Sequence, residues 1–191
     1  GTQEFKDSTI AAASHWLPHI NLKFDFVDGI EGDIRILSQE GVFSSNIGTD
    51  ALLTTEEPTM KLWPHSAVHA RYFAANVMHE FGHMLGAEHE QTHPTAEIPW
   101  NVPAIYERHG ITDNPDEDDY EASRKRQWLH REYLDRAAAE ESICSHYDRK
   151  SIMHYVIYQS WTTGDFQNFL NLELSEQDKA FMSKLYPCPA I

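Results

Sequence analysis

Three histidines and a glutamate lie close together in the stretch HEFGHMLGAEHE, residues 79–90. His79 and His83 are four residues apart, so on a helix they share one face. His89 does not fit that helix, because at 1.5 Å rise per residue it would lie about 15 Å along the axis from His79 and about 80° around it. One metal ion, which binds His nitrogens at about 2.0–2.1 Å, could not reach all three side chains in that geometry. Either His89 is unrelated to the pair, or the helix ends between them and the chain turns back.

Gly86 lies where such a helix end is required. Glycine ends helices readily because a positive φ brings no Cβ clash. If the chain reverses at Gly86, His89 returns to the other two histidines, and three His ligands with a water molecule form the open arrangement of a catalytic zinc site. The spacing therefore predicts one Zn²⁺ per chain, held by His79, His83 and His89.

Glu80 is predicted to lie beside these ligands without binding the metal. On a helix it is about 100° around from His79 and about 60° from His83, so it points into the same groove. A carboxylate there can take a proton from a water molecule whose pKa the metal lowers toward about 7. A bare HExxH arises by chance in many unrelated helices. The longer HExxHxxGxxH is the metzincin zinc signature and gives each of its fixed positions a mechanical role.

A second motif, SIMHY at Ser151–Tyr155, lies downstream. The combination of HEFGHMLGAEHE and SIMHY resembles the astacin family of zinc endopeptidases, and it looks closer to the short microbial astacin-like proteins than to the animal ones. Glu90, directly after the third histidine, adds to this resemblance. The resemblance implies that Met153 forms the floor beneath the zinc and that Tyr155 is a fifth ligand that also stabilises the oxyanion. From the residues alone, the alternative is that Tyr155 is a plain core tyrosine.

The chain departs from the animal astacins in two ways. Those enzymes usually have four or more cysteines in the catalytic domain, whereas this chain has two, Cys144 and Cys188. Because the resemblance implies secretion, where cysteines tend to pair, we expect a Cys144–Cys188 disulfide; two buried free thiols are the alternative. The segment between His89 and Met153 also looks long. In this family it forms the lower wall of the cleft, so the substrate preference stays open.

Hydrophobic periodicity and helix-capping residues predict the helices and strands that must position these residues. The pattern from about 66 to 85 predicts the longest helix, with Ala74, Met78, Phe81 and Leu85 toward the core. The remaining elements are a helix over about 7–17, strands over 21–27 and 32–38, a short helix over 101–106 capped by Asn101 and followed by Gly110, a polar helix over about 121–139, and a C-terminal helix that begins with the capping box Ser175–Asp178.

We therefore predict an α+β fold of the metzincin type in a single catalytic domain, 1–191. The resemblance implies an N-terminal subdomain, 1–89, with a twisted mixed sheet and two long helices. It also implies a smaller C-terminal subdomain, 90–191, that is mostly irregular and helical, with the active-site cleft between the two.

The segment PTMKLWP is bounded by Pro58 and Pro64, which suits an edge strand. In the family that the chain resembles, an extended peptide substrate pairs with the edge strand. The expected substrate-binding residues are Thr59, Met60, Lys61 and Leu62. The alternative is an edge strand that its flanking prolines protect from pairing.

Composition limits the partners. The 191 residues are 41% hydrophobic and 24% charged, which is ordinary for a soluble globular protein. The formal net charge of -15 argues against a nucleic-acid or anionic-membrane partner. No apolar run approaches the about 20 residues of a membrane span. The first ten residues contain no apolar signal segment, so we expect that any targeting sequence has been removed or was never there. We expect a secreted monomer that acts on proteins or peptides.

Two further groups could bind metals. His65 and His69 are four residues apart at the start of the long helix, although a solvated first turn is the simpler interpretation. The acidic stretch DNPDEDDYE, residues 113–121, could bind calcium. It lacks the ligand order and central glycine of an EF-hand, which favours a solvated loop.

The sequence thus predicts a zinc-dependent endopeptidase that hydrolyses internal peptide bonds with Glu80 as general base. The alternative from another class is an inactive protease fold that serves as an extracellular binding protein. Inactive relatives commonly lose the general base, and here Glu80 is present with all three histidines. Broad degradation and narrow processing are not separated by the sequence.

Overall fold

The computed structural model describes residues 1–64, 69–111, 120–138 and 143–188. In these ranges the regular elements are α1 (Gln3–Ala13), β1 (Ile36–Ser38), β2 (Ser44–Ser45), β3 (Met60–Leu62), α2 (Ala70–Met84), α3 (Val102–Arg108), α4 (Tyr120–Leu129) and α5 (Glu176–Leu185). Several 3₁₀ turns and one π-helical turn, His130–Leu134, complete the regular structure. Among the helices of the described part, none is long and apolar enough to cross a membrane.

The chain divides into two compact units. The first contains Gly1–Glu88, Lys150–Met153 and Asn171–Ile191, and the second contains His89–Arg149 and His154–Leu170. The predicted C-terminal subdomain contained all residues from 90 to 191. In the structure, two later segments, the one with Met153 and the one with α5, belong to the first unit.

The first unit has one hydrophobic core built around α1 and α2. Trp16 is fully buried just after α1, and its indole Nε1 donates a hydrogen bond to the Met78 carbonyl at 2.9 Å. The C-terminal half of α2 is buried on every side, from Val77 to His83. A helix that is buried all round has no solvent-facing polar stripe, so its polar side chains there must find partners inside the protein.

The sheet of the first unit is short and mixed, in the order β1-β3-β2. β3 pairs with β1 in parallel and with β2 in antiparallel orientation. The prediction that Thr59, Met60, Lys61 and Leu62 form an edge strand is therefore wrong. Pro58 and Pro64 flank the paired residues rather than interrupt them, so neither removes a ladder hydrogen bond. Both Met60 and Leu62 are fully buried.

The strand predicted over 21–27 is also absent, and the strand predicted over 32–38 is shortened to β1. Phe24 nevertheless packs on the core as a half-buried side chain, with its ring centroid 5.5 Å from that of Phe81. Phe26 is 37% exposed, and its ring centroid lies 6.3 Å from the same ring. The alternating apolar residues thus mark aromatic contacts with α2. Alternation of apolar side chains alone does not make a strand, because a strand also needs a neighbour for its backbone groups.

α5 begins at the predicted capping box, which is confirmed. Ser175 Oγ accepts a hydrogen bond from the Asp178 backbone N–H at 2.9 Å, and Asp178 Oδ2 accepts one from the Ser175 N–H at 2.8 Å. The same carboxylate accepts hydrogen bonds from Ser151 Oγ at 2.6 Å and from the Ile152 N–H at 2.8 Å. Asp178 thus fastens the segment that carries Met153 to the start of α5.

The second unit has two small apolar clusters. One is centred on Ala96, Ile98 and Ile157, and the other on Ile105, Ile111 and Leu129. The predicted cap of α3 is confirmed, because Asn101 Oδ1 accepts from the Ala104 N–H at 3.3 Å. The polar helix predicted over 121–139 is regular only to Leu129 and then widens into the π-helical turn.

The predicted disulfide is not formed, because Cys144 and Cys188 are both free and exposed. A disulfide demands a narrow range of Cα separation and Cβ direction, and neither is set by an even number of cysteines. The two cysteines therefore do not support a location in an oxidising compartment.

We expect Asp178→Ala to lower the free energy of unfolding by at least about 3 kcal/mol, because hydrogen bonds to a charged group contribute about 1.5–3 kcal/mol each. Urea denaturation measures this difference. Glu176→Ala is the matched control, since that side chain lies in the same first turn and is 93% exposed. Equal stability of the two variants would contradict the tethering role of Asp178.

Candidate metal centre

The long helix ends as the sequence predicts. Gly86 has a φ of 97°. The Ala87 N–H donates to the Gly82 carbonyl at 2.9 Å, and the Gly86 N–H donates to the His83 carbonyl at 2.8 Å. These two bonds form a Schellman motif, which a glycine in the left-handed conformation permits. The chain therefore leaves the helix axis directly after the second histidine.

The reversal brings the three predicted ligands together. One ligand atom each from His79, His83 and His89 lies within 4.8 Å of the others. His79 and His83 are in the last two turns of α2, and His89 precedes the 3₁₀ turn Glu90–Thr92. No other group of three or more His, Cys, Asp or Glu side chains in the described ranges could hold a metal ion.

Each of these imidazoles has an oxygen acceptor at Nδ1. The Ile152 carbonyl lies 2.8 Å from Nδ1 of His79, and the Ala87 carbonyl lies 2.8 Å from Nδ1 of His83. A carboxylate oxygen of Glu132 lies 3.2 Å from Nδ1 of His89. A carbonyl or carboxylate oxygen can only accept, so the proton belongs on Nδ1 and the lone pair on Nε2. Neutral imidazoles in this tautomer are the form that binds zinc.

Glu80 is 4% exposed, and its Oε2 is a buried atom with no hydrogen-bond partner. Burial in the protein raises the pKa of this carboxyl group to about 8. A buried carboxylate oxygen without a partner is costly. A cation on the neighbouring histidines favours the charged form and lowers the pKa again. Three neutral imidazoles beside this orphaned oxygen therefore fit a divalent zinc ion.

Met153 packs directly against the helix turn between the two helical ligands. A Cβ built on Gly82 would clash with Met153 Sδ and would lie 3.3 Å from its Cε and 3.5 Å from Cζ2 of Trp16. Gly82 thus allows the thioether to touch the helix backbone. Met153 is 3% exposed, and the preceding residue supplies the carbonyl that accepts from His79.

Tyr155 lies against the third histidine within the second unit. The ring centroids of Tyr155 and His89 are 4.0 Å apart. The Tyr155 N–H donates a hydrogen bond to Oε1 of Gln91 at 3.0 Å. Glu90, the residue of the motif that follows His89, accepts a hydrogen bond at Oε1 from the Asp148 N–H at 2.6 Å. The structure therefore places Tyr155 beside a ligand, which a plain core tyrosine would not require.

Sequence reasoning missed Glu132, Tyr133 and Gln91. The hydrogen bond from His89 holds the pKa of Glu132 at about 2, against the opposing effect of burial. Tyr133 packs on Tyr155 with ring centroids 5.4 Å apart. Glu132 is one charge among many in a polar segment, so no pattern marked it. The unusual length of the segment between His89 and Met153 was the only available signal.

Other predicted residues do not join this group. Thr59, Met60, Lys61 and Leu62 lie in the sheet as described above. His69 is the residue before α2 and is not among the grouped ligands, and His65 lies outside the described residues. Residues 113–119 of the acidic stretch also lie outside them.

Comparison with known proteins gave matches among solved structures. No protein-family model matches the sequence, and no curated protein matches it. A structure of myroilysin aligns with 100% of this chain and 90% of its own, at 30% identity and a TM-score of 0.86. A crystal structure of myroilysin covers 98% of this chain and 80% of its own, at 31% identity and a TM-score of 0.71.

A more distant match shows the shared fold. High choriolytic enzyme 1, a hatching enzyme zinc-protease from Oryzias latipes (Medaka fish), covers 98% of this chain and 85% of its own. Its TM-score is 0.63 at 15% identity.

The myroilysin match extends over the whole chain, and the ligands predicted from the sequence converge at one point. This chain belongs to the astacin family of zinc metalloproteases, with the α+β metzincin fold.

Proposed function

We propose that this zinc metalloendopeptidase cleaves internal peptide bonds with Glu80 as the general base. The observation that carries the proposal is the buried, unpartnered Oε2 of Glu80, one residue from the ligand His79. A group that must take up and release a proton needs an oxygen that the protein does not already engage.

The three histidines are proposed to bind the metal as neutral imidazoles. His79, His83 and His89 would each present Nε2, since Nδ1 of each faces an oxygen acceptor. Zinc, when bound, polarises the scissile carbonyl and makes a water molecule acidic near neutral pH.

Glu80 moves the proton. Its carboxylate takes a proton from the attacking water at Oε2 and then passes it to the nitrogen of the leaving amine, which cannot depart as an anion. Burial excludes bulk water from this carboxylate, so the proton stays within the site between the two steps.

Tyr155 is proposed to donate its phenolic hydrogen bond to the developing oxyanion and to contribute a fifth ligand. The contact of its ring with that of His89 supports this role, because the phenol ring then lies beside a predicted ligand. Donors already oriented before reaction stabilise the transition state without reorganisation.

The proposed substrate is a protein or peptide, and the proposed enzyme is an extracellular monomer. The net charge of -15 supports a partner that is neither nucleic acid nor anionic membrane. The extracellular location is supported by family membership alone, since the cysteines are free. No observation favours an inactive binding protein, because the general base and all three histidines are present.

A chelator should abolish hydrolysis, and one equivalent of Zn²⁺ should restore it. Calcium should not restore activity, because it prefers oxygen ligands. Elemental analysis should find one zinc per chain, and His83→Ala should lose it. Fully active protein without stoichiometric metal would end the proposal.

Glu80→Gln should keep zinc and lose nearly all turnover, because an amide cannot accept the proton. The measurement pairs elemental analysis with peptide cleavage followed by mass spectrometry. Glu97→Gln changes an exposed carboxylate that is not among the grouped ligands, and this control should retain activity. A Glu80→Gln enzyme with normal turnover would refute the general-base role.

Tyr155→Phe should keep zinc and lose about 10²–10³-fold in kcat, the usual effect of removing one oxyanion donor. Tyr158→Phe makes the same chemical change at a side chain that is 57% exposed, and should leave kcat unchanged. If the two variants have equal kcat, Tyr155 is not an oxyanion donor.

A further inference from the structure

We propose that Glu132 is a positioning residue for the zinc site and that Gln91 links it to Tyr155, so that the π-helical turn His130–Leu134 clamps the third ligand. The inference rests on the proposed zinc chemistry and adds residues to it. The clamp is defined as Glu132, Tyr133 and Gln91, all within the second unit.

The first contact of the clamp orients the imidazole of His89. Glu132 approaches its Nδ1 at 3.2 Å, and both side chains are 15% exposed. The other two ligands face backbone carbonyls at Nδ1, whereas Nδ1 of His89 faces a carboxylate. A carboxylate partner fixes the tautomer and makes Nε2 more basic than a carbonyl partner does.

The second contact joins the backbone of Glu132 to the backbone of Tyr155 through the side chain of Gln91. Gln91 is 1% exposed and uses both ends of its amide. Its Nε2 donates to the Glu132 carbonyl at 2.6 Å, and its Oε1 accepts from the Tyr155 N–H at 3.0 Å. A single buried side chain thus sets the distance between the residue that holds His89 and the residue that stacks on it.

The third contact comes from the next residue in the turn. The ring of Tyr133 packs on that of Tyr155 at 5.4 Å, and the ring of Tyr155 lies 4.0 Å from that of His89. Two consecutive residues of the turn therefore each contact a different side chain of the site: Glu132 contacts His89, and Tyr133 contacts Tyr155. π-Helical turns are rare and occur frequently at functional sites.

Further bonds fasten the turn to the residues around His89. Thr92 Oγ1 donates to the His89 carbonyl at 2.7 Å, and the Ala137 N–H donates to the Thr92 carbonyl at 2.7 Å. His130 is held between Tyr106 OH at 2.7 Å and Asp135 at 2.8 Å. The turn is thus anchored on both sides of Glu132.

The test compares Glu132→Gln with the full-length wild-type protein. The amide keeps the size but loses the charge, so zinc affinity should fall roughly 10–100-fold, as is typical when a ligand's carboxylate partner is removed. Competition with a chromogenic chelator measures the affinity. Peptide cleavage should show a lower kcat with KM unchanged, and the visible spectrum of the cobalt-substituted protein should shift. Glu121→Gln, the same change on the exposed face of α4, should match wild type in every measurement.

A second variant keeps the inference testable if Glu132→Gln is poorly folded. Gln91→Met preserves the side-chain volume and removes both hydrogen bonds of the Gln91 amide group. This variant should therefore have a lower kcat and a lower zinc affinity. The rise in melting temperature on adding zinc, measured within each variant, reports affinity independently of overall stability. Wild-type affinity and kcat in the folded variants would overturn the clamp. A wild-type protein that neither binds zinc nor cleaves peptides would instead refute the proposed function.

Discussion

The reversal of the chain at Gly86 is the constraint on which the site depends. Two ligands can share a helix face, but a third on the same helix would be too far along the axis. The Schellman motif solves this within a few residues, and the Ala87 carbonyl that it exposes accepts the hydrogen bond from His83. The same turn therefore ends the helix and fixes the tautomer of a ligand.

The imidazole rings of the other two ligands, His79 and His89, are oriented by hydrogen-bond partners distant in sequence. The Ile152 carbonyl that accepts from His79 belongs to a segment held by the carboxylate of Asp178. Glu132, supported by Gln91, does the equivalent for His89. Buried polar groups must be satisfied, and here that requirement is met with bonds that also aim the metal-binding nitrogens. Glu80 Oε2, which lies one residue from His79 in the chain, is buried without a partner, and this free oxygen is what the proposed proton transfer requires.

Local signals in the sequence were sufficient for several local features, although the end of the polar helix predicted over 121–139 was not one of them. The ligand spacing, the helix end at Gly86, the Asn101 cap and the Ser175 capping box each depend on a few neighbouring residues, and each was predicted. Alternating apolar residues at 21–27 and prolines around 59–62 were misread, because strand pairing depends on which other segment supplies the partner.

The sequence by itself determined which residues could form the metal centre: three histidines and a glycine at the spacing that a zinc site needs, with the carboxylate of the proposed general base beside the first of them. Only the tertiary structure decided which strand is central, that Cys144 and Cys188 are free, and that Glu132 and Gln91 support the third ligand. The physical reason is distance along the chain. Helix periodicity and caps act over a few residues. By contrast, β3 pairs with residues 15 to 24 positions away, and Gln91 bonds a residue 41 positions away. Such contacts follow from how the whole unit packs.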